Sequence, residues 1–285
     1  MTIVLSGLAL GAVYALVAIG YNIVFISSST FNFAQAQLMM VGTFVAYTGL
    51  VTWDLPVIVV ALLAAAVVAV IAGIEDLTAV WPVKDRHTQL VTTLGVATLL
   101  GGACQLIWGN QPLSVPFLSY NDPVDFLGGR TYPVELALIA AAVLLVAVLT
   151  WLSKRTMLGQ ALIGISEDTE AATLRGISVR KLALGAFVFS GALAGVLGLL
   201  VGPKTFAVAT LGTALAIKGF VALAIGGFGS LPGCLIGGFV VGLAESLTAL
   251  HWGAQYSSLM VFAVLLVLLL ARPTGLFGRT AERVV

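Results

Sequence analysis

Residues 55–74 read LPVIVVALLAAAVVAVIAGI, with no charge, amide or hydroxyl among them. A bilayer core about 30 Å thick is crossed by roughly 20 apolar residues of helix. A run of that length that is apolar on every side has no face to offer to water, and it reads as a membrane span. Working outward, the same rule selects 3–26, 33–52, 89–108, 133–152, 182–202, 211–228, 231–250 and 255–271. The spacing predicts an all-α fold: one polytopic membrane helix bundle of about nine spans, with broken helices, over residues 1–285.

The composition agrees. Of 285 residues, 60% are hydrophobic and 9% charged, against about 25% charged in a soluble domain. So few charges cannot coat a globule, which excludes a soluble enzyme and a disordered chain. A net charge of +1 is far from the basic footprint of a nucleic-acid binder. Cys104 and Cys234 sit in apolar runs and make no disulfide framework. His87 and His251 stand alone, so no metal site and no catalytic residue is expected. No GxxxxGK[ST] phosphate loop occurs, so any ATP that drives this chain is bound elsewhere.

Lysine and arginine set orientation. With 153–181 placed in the cytoplasm, alternation puts 75–88 and the C-terminal tail there too. These segments hold Lys84, Arg86, Lys154, Arg155, Arg175, Arg180, Lys181, Arg272, Arg279 and Arg283, ten of the thirteen basic residues. The opposite side holds Arg130 and Lys204. An odd span count then puts the N-terminus outside and the C-terminus in the cytoplasm. If one short glycine-rich segment is re-entrant, only the termini change. The first segment has no basic residue ahead of it, so it is expected to stay as a span and not to be cleaved as a signal peptide.

Two stretches make poor helix: 27–37, SSSTFNFAQAQ, and 226–233, GGFGSLPG. Each is either a tight turn or a functional break, since irregular backbone at membrane depth is tolerated where protein or a water-filled path covers it. Asn32, Gln35 and Gln37 at the first stretch, with Tyr14, Thr92 and Thr93, are the candidate translocation-path residues. Neutral amides avoid the desolvation of a buried charge. Asn22 and Thr43 add to this uncharged polar set, which suits small neutral or zwitterionic solutes. Lys218 and Glu245 are the charges inside spans, and they either pair or reach an interface separately. Gly7 and Gly11, Gly191 and Gly195, Gly233 and Gly237, and Gly238 and Gly242 are spaced for close helix approach.

Between two spans, 159–181 reads GQALIGISEDTEAATLRGISVRK. Ser166 as N-cap, then Glu167, Asp168 and Glu170 in the first turn, Arg175 in the last and Gly176 beyond it, predict a short helix over 167–175. It is acidic and alanine-rich, unlike a basic membrane-surface helix, and is read as a surface for a protein partner.

Four blocks, in order along the chain, carry a family resemblance. They are Gly7-Leu8, Gly11, Tyr14-Ala15-Leu16 and Gly20 with Asn32-Phe33-Ala34, Leu38-Met39-Met40 and Gly42; then Gly159-Gln160-Ala161, Asp168, Glu170-Ala171-Ala172 and Gly176-Ile177; then Lys218-Gly219-Phe220, Gly226 to Ser230, Pro232-Gly233, Gly237-Gly238 and Glu245-Ser246-Leu247; then Arg272 to Gly278. The chain resembles the permease subunits of the branched-chain (hydrophobic) amino acid, urea and amide class of bacterial ABC importers. The resemblance implies a multi-pass plasma (inner) membrane subunit of an ATP-driven importer. Its implied partners are a second related permease, two ABC ATPase subunits that bind ATP and Mg, and an extracytoplasmic solute-binding protein. No cofactor is expected in this chain itself. The resemblance also makes 153–181 the coupling segment, with Gly159, Glu167, Asp168, Glu170, Ala171, Ala172, Arg175 and Gly176 at the ATPase. Branched-chain amino acids are the first-ranked cargo and urea or short amides the second; an ATP-independent channel or secondary transporter is the alternative class. The chain departs from the family at Gln35, Ala36 and Gln37, where an acidic residue is usual, and at Ile163-Gly164, where Arg-Ala is frequent.

Overall fold

A computed structural model describes residues 1–83, 85–117, 123–126 and 128–278; Lys84, Arg279 and Arg283 of the basic set, and the side chain of Arg86, lie outside the described residues. Helix α1 (Thr2–Ser28) ends where Ser29 turns left-handed at φ 52. After an irregular stretch comes α2 (Gln35–Tyr47), prolonged by a π-helical turn, Thr48–Thr52. Pro56 opens α3 (Val57–Glu75), prolonged by a second π-helical turn, Asp76–Val80. Asp85 caps α4 (Arg86–Trp108) by accepting from the Thr88 N–H at 2.9 Å. The Thr88 hydroxyl and N–H both donate to that carboxylate and hold its pKa below the ordinary range.

A two-stranded antiparallel hairpin, Val124–Phe126 with Gly129–Thr131, precedes α5 (Pro133–Arg155). Then come α6 (Met157–Glu167), α7 (Thr169–Leu174), α8 (Val179–Thr205), α9 (Leu211–Gly226), α10 (Leu231–His251) and α11 (Ser257–Ala271).

The nine expected segments are all helical, but they differ in length. Among the described residues, seven helices are long and apolar enough to cross a membrane. The other two, α2 with 13 residues and α9 with 16, are shorter.

Two readings are corrected. The helix expected over 167–175 is two helices. Ser166 is not its cap: it sits in the last turn of α6 and its hydroxyl donates to the Ile163 carbonyl. The break falls at Asp168, whose carboxylate accepts from the N–H groups of Glu170 and Ala171, both at 2.9 Å, and so caps α7. Carboxylates satisfy orphan helix-start amides at least as well as hydroxyls do. Gly176, at φ 81, does stop the helix. Its N–H reaches the Thr173 carbonyl and that of Ile177 reaches Ala172, a Schellman closure. The second correction concerns 75–88, expected as a polar loop. Its first six residues continue the helix, and Glu75 and Asp76 are buried. Asp76 can be buried because Arg180 of α8 pairs with it, with its guanidinium 4.1 Å over the Trp81 ring.

Glycine sets the packing. A Cβ on Gly11 would lie 2.7 Å from the Gly238 carbonyl oxygen, and one on Gly242 would collide with the Gly11 backbone, so α1 and α10 touch main chain to main chain. The same holds for Gly42 of α2 against Gly195 and Gly198 of α8, and for Gly195 against Ala64 of α3. The spaced glycines serve packing within this chain. Dispersion between close backbones replaces the hydrophobic drive that lipid cannot supply.

The connections gather at two opposite ends. At one, Lys204 pairs with Glu135 and reaches Ser6 Oγ at 3.2 Å, and the Arg130 N–H donates to Thr2 Oγ1 at 3.1 Å. At the other, the Gly229 N–H donates to Asn22 Oδ1 at 2.9 Å, and the Phe277 N–H donates to the Gly226 carbonyl at 3.0 Å.

Gly11→Val should wedge α1 from α10 and destabilise the fold by about 1–3 kcal/mol. Gly102→Ala, where a Cβ meets nothing within 4 Å, should be neutral. Thermal unfolding of the two variants in detergent reads the difference directly.

Candidate functional site

The irregular stretch between α1 and α2 lies inside the bundle. Gln35, the first residue of α2, packs on Gly20, eight residues before the end of α1, and its Nε2 donates to the Ser190 carbonyl at 3.3 Å. Ser190 stands eleven residues into α8, and its hydroxyl donates to the Gly20 carbonyl at 3.0 Å. At 1.5 Å per residue, α2 therefore starts about 12–16 Å from the ends of its neighbours. Gln37 Nε2 donates to Thr213 Oγ1 at 3.2 Å, and a Cβ on Gly212 would strike the Gln37 amide. Those two residues open α9. Two short helices thus present their N-termini to each other at mid-depth.

Neither Ala34 before α2 nor Thr210 before α9 makes a side-chain cap. The positive ends of two helix dipoles are left facing one buried region. Asn32, Gln35 and Gln37 are all buried there. The Phe33 N–H donates to Thr93 Oγ1 at 3.4 Å, so Thr93 also belongs to the region. Thr92 does not: its hydroxyl donates to the Ala79 and Gln89 carbonyls at 2.6 and 3.0 Å, tying α4 to the π-helical turn.

Polar atoms without hydrogen-bond partners concentrate at this break. They include Gln35 Oε1 and Gln37 Oε1. The Asn32 carboxamide lies beside Glu75. Glu75, Ser190 and Thr213 are site residues that sequence reading passed over. The signal for Glu75 was an acid directly after an apolar run, with no proline or glycine between to end the helix.

A cluster of rings covers the break. Phe31 meets Tyr21, Phe33 and Phe220 at 5.2–5.3 Å, Phe228 at 5.8 Å and Phe25 at 6.4 Å between centroids. Phe31 and Phe33 meet each other while Asn32 between them is turned to Glu75. One residue thus holds together α1, the break, α9 and the turn before α10.

Tyr14 is placed elsewhere, with the two in-span charges. Lys218 Nζ lies 2.5 Å from Glu245 Oε1 and 3.2 Å from the Tyr14 hydroxyl, which donates to Glu245 Oε2 at 2.7 Å. The three side chains neutralise one another across α9, α10 and α1. In the stretch 153–181, Gly159 is buried in the first turn of α6, where a Cβ would collide with Ser153. Ala172 is buried, whereas Glu167, Asp168, Glu170, Arg175 and Gly176 are exposed and Ala171 is half-buried. Helix α6 packs on α5 and on α1.

Lys218→Met and Glu245→Gln should each lower the yield of folded protein, and the double variant should recover part of it. A coupling of about 0.5–3 kcal/mol is the expected size for residues in contact. Thermal unfolding of all four proteins measures it, and strictly additive losses would contradict the pairing.

Comparison with known proteins agrees with this architecture. The family model for the branched-chain amino acid transport system permease component matches residues 3–270. The high-affinity branched-chain amino acid permease BraD of Pseudomonas aeruginosa is 30% identical, over 96% of this chain and 94% of its own. LivH of Escherichia coli, another such permease, is 29% identical over the same shares. The ribose import permease RbsC of Escherichia coli is 27% identical over 90% of this chain and 81% of its own. No solved structure matches the chain. A match over nearly the whole chain, on a bundle of apolar helices, places this protein in the branched-chain amino acid transport system permease family, as a multi-pass membrane transport subunit.

Proposed function

We propose that this chain lines the translocation path of an ATP-driven importer in the bacterial plasma (inner) membrane, and that its cargo is the branched-chain amino acids. The observation that carries the reading is the mid-depth break where the N-termini of α2 and α9 meet. Transporters place binding sites at such half-helix ends. In this reading α2 and α9 complete nine crossings, the N-terminus is outside, the C-terminus is cytoplasmic, and 1–285 is a single permease domain. Asn32, Gln35, Gln37 and Thr93 lie along the path; Tyr14 and Thr92 act through the contacts of α1 and α4. Uncharged amides suit a zwitterionic solute, whereas a phosphate or polycarboxylate would call for arginine or lysine.

The working complex has a second permease, two ATPase subunits that bind ATP and Mg, and an external solute-binding protein. Segment 153–181 touches the ATPase. A mechanical route follows from packing. Movement of α7 passes to α6, and α6 rests on α1. The end of α1 leads directly into the break. Coupling requires an element whose contacts differ between two states, and a segment with unpartnered polar atoms and a clustered aromatic cover meets that requirement.

Ala171→Arg should cut uptake by about tenfold or more, within the usual range of coupling free energies. It should leave solute-binding-protein affinity unchanged. Vesicle uptake alongside a binding-protein titration checks this, and normal uptake with normal ATPase association would dismiss the coupling role. For cargo, vesicles carrying the whole complex and labelled leucine should show competition by isoleucine and valine. Competition by urea or acetamide alone would replace the amino-acid reading with the amide one.

A further inference from the structure

We infer that the Lys154–Arg155 end of α5 and the start of α10 form a binding site for one anionic phospholipid. The phosphate sits at Lys154 and Arg155, and one acyl chain lies in the groove beneath them.

Val143, Val146, Ala147 and Thr150 of α5 face Pro232 and Leu235 of α10 across a groove of about 470 Å³. Its walls are apolar but for Thr150. From Val143 to Lys154 the groove follows α5 for about 16 Å at 1.5 Å per residue. That is the depth of one leaflet, half of a hydrocarbon core about 30 Å thick. At its mouth stand Trp151, 61% exposed, and the exposed Lys154 and Arg155. Neither cation belongs to an ion pair among the described residues, whereas Arg180, Lys204 and Lys218 are all paired. The corner beyond them is well tied. The Thr156 hydroxyl donates to the Leu152 carbonyl at 2.7 Å and accepts from the Gly159 N–H at 3.1 Å. Gln160 Nε2 donates to the Lys154 carbonyl at 3.4 Å. The basic pair is thereby held over the groove. The next side chains, Met157 and Leu158, are apolar and strongly exposed, as in a segment that meets acyl chains.

The negative end of the α5 dipole accounts for two basic residues in its last turn, but not for the apolar slot below them. Tryptophan prefers the level of the lipid head groups, and basic pockets between spanning helices hold anionic ones. A zwitterionic head group carries its own ammonium beside its phosphate and leaves the two cations uncompensated. An anionic lipid brings a free negative charge and an apolar tail of the right reach. An ATPase outside the membrane cannot fill a slot one leaflet deep.

The test places the full chain, and separately the complete importer complex, in phosphatidylcholine nanodiscs that contain brominated phosphatidylglycerol or brominated phosphatidylcholine. Bromine quenches nearby tryptophan, and subtraction of the Trp151→Phe spectrum isolates Trp151. Brominated phosphatidylglycerol should quench it at a lower lipid fraction than brominated phosphatidylcholine does. Lys154→Gln and Arg155→Gln should each cut that preference by about fivefold, the size of one basic residue at a charged membrane surface. Ala147→Phe fills the groove, keeps both charges and should lose most of the preference. Equal quenching by the two lipids in the unaltered chain would overturn the inference. Full preference in Ala147→Phe would also overturn it, as plain surface attraction, and so would displacement by soluble glycerol phosphate, as a head-group site without a groove. Loss of the preference in the complete complex would assign the groove to a protein neighbour instead. Lys154 and Arg155 are exposed, so their variants keep the fold and decide the matter even where Ala147→Phe melts early.

Discussion

Backbone amides and carbonyls inside a hydrocarbon layer must find partners within the protein. The rest of this fold depends on that constraint. Between Ser29 and Ala34 the chain leaves the helix at depth, and side chains cover its amides: Thr30 N–H by Ser28 Oγ, Phe33 N–H by Thr93 Oγ1 and Ala34 N–H by Asn32 Oδ1, while Ser190 of α8 ties to the Gly20 carbonyl of α1. Such cover requires α1, α2, α4 and α8 to stand very close. Glycine at the contacts allows this, because a Cβ at Gly42, Gly195 or Gly198 would overlap the facing main chain. The glycine contacts and the break therefore form one arrangement: close packing permits irregular backbone, and irregular backbone brings side-chain amides to the middle of the bundle.

Apolar run length made the helices legible in the sequence, and 57–75 and 231–251 fall within a few residues of their expected bounds. The break at 27–37 was legible from Ser, Asn and Gln in an otherwise apolar region. The level at which α2 starts was not, because depth is set by what Gln35 packs against, and Gly20 and Ser190 are remote in sequence. By composition 75–88 is a polar stretch between two spans, so the burial of Glu75 and Asp76 is not legible there. Two facts put them inside: Arg180 reaches Asp76 from α8, and a local π-helical turn carries the helix on to Val80. Ser166 is a good cap by composition, but α6 runs on through Glu167 and takes Ser166 into its last turn, so Asp168 caps the next helix.

The charged groups within the helices divide by how they are compensated. Lys218, Glu245 and Tyr14 satisfy one another, Lys204 satisfies Glu135, and Arg180 satisfies Asp76. Each pair joins two different elements, and they read as structural fasteners between rigid elements. Glu75 stands apart from them, because its neighbour is the uncharged Asn32 carboxamide.

The aromatic cover on the break bears on a different property, the passive leak of the membrane. Five rings, from α1, the break itself, α9 and the turn before α10, pack around Phe31. An opening there has to separate several ring pairs at once, since none of the elements can move away alone without exposing the others. The barrier is therefore collective and steep, and thermal fluctuation of one side chain does not admit water. On the proposed path through the break, a cover of this kind would let the permease rest in an energised membrane without discharging the ion gradients its host maintains.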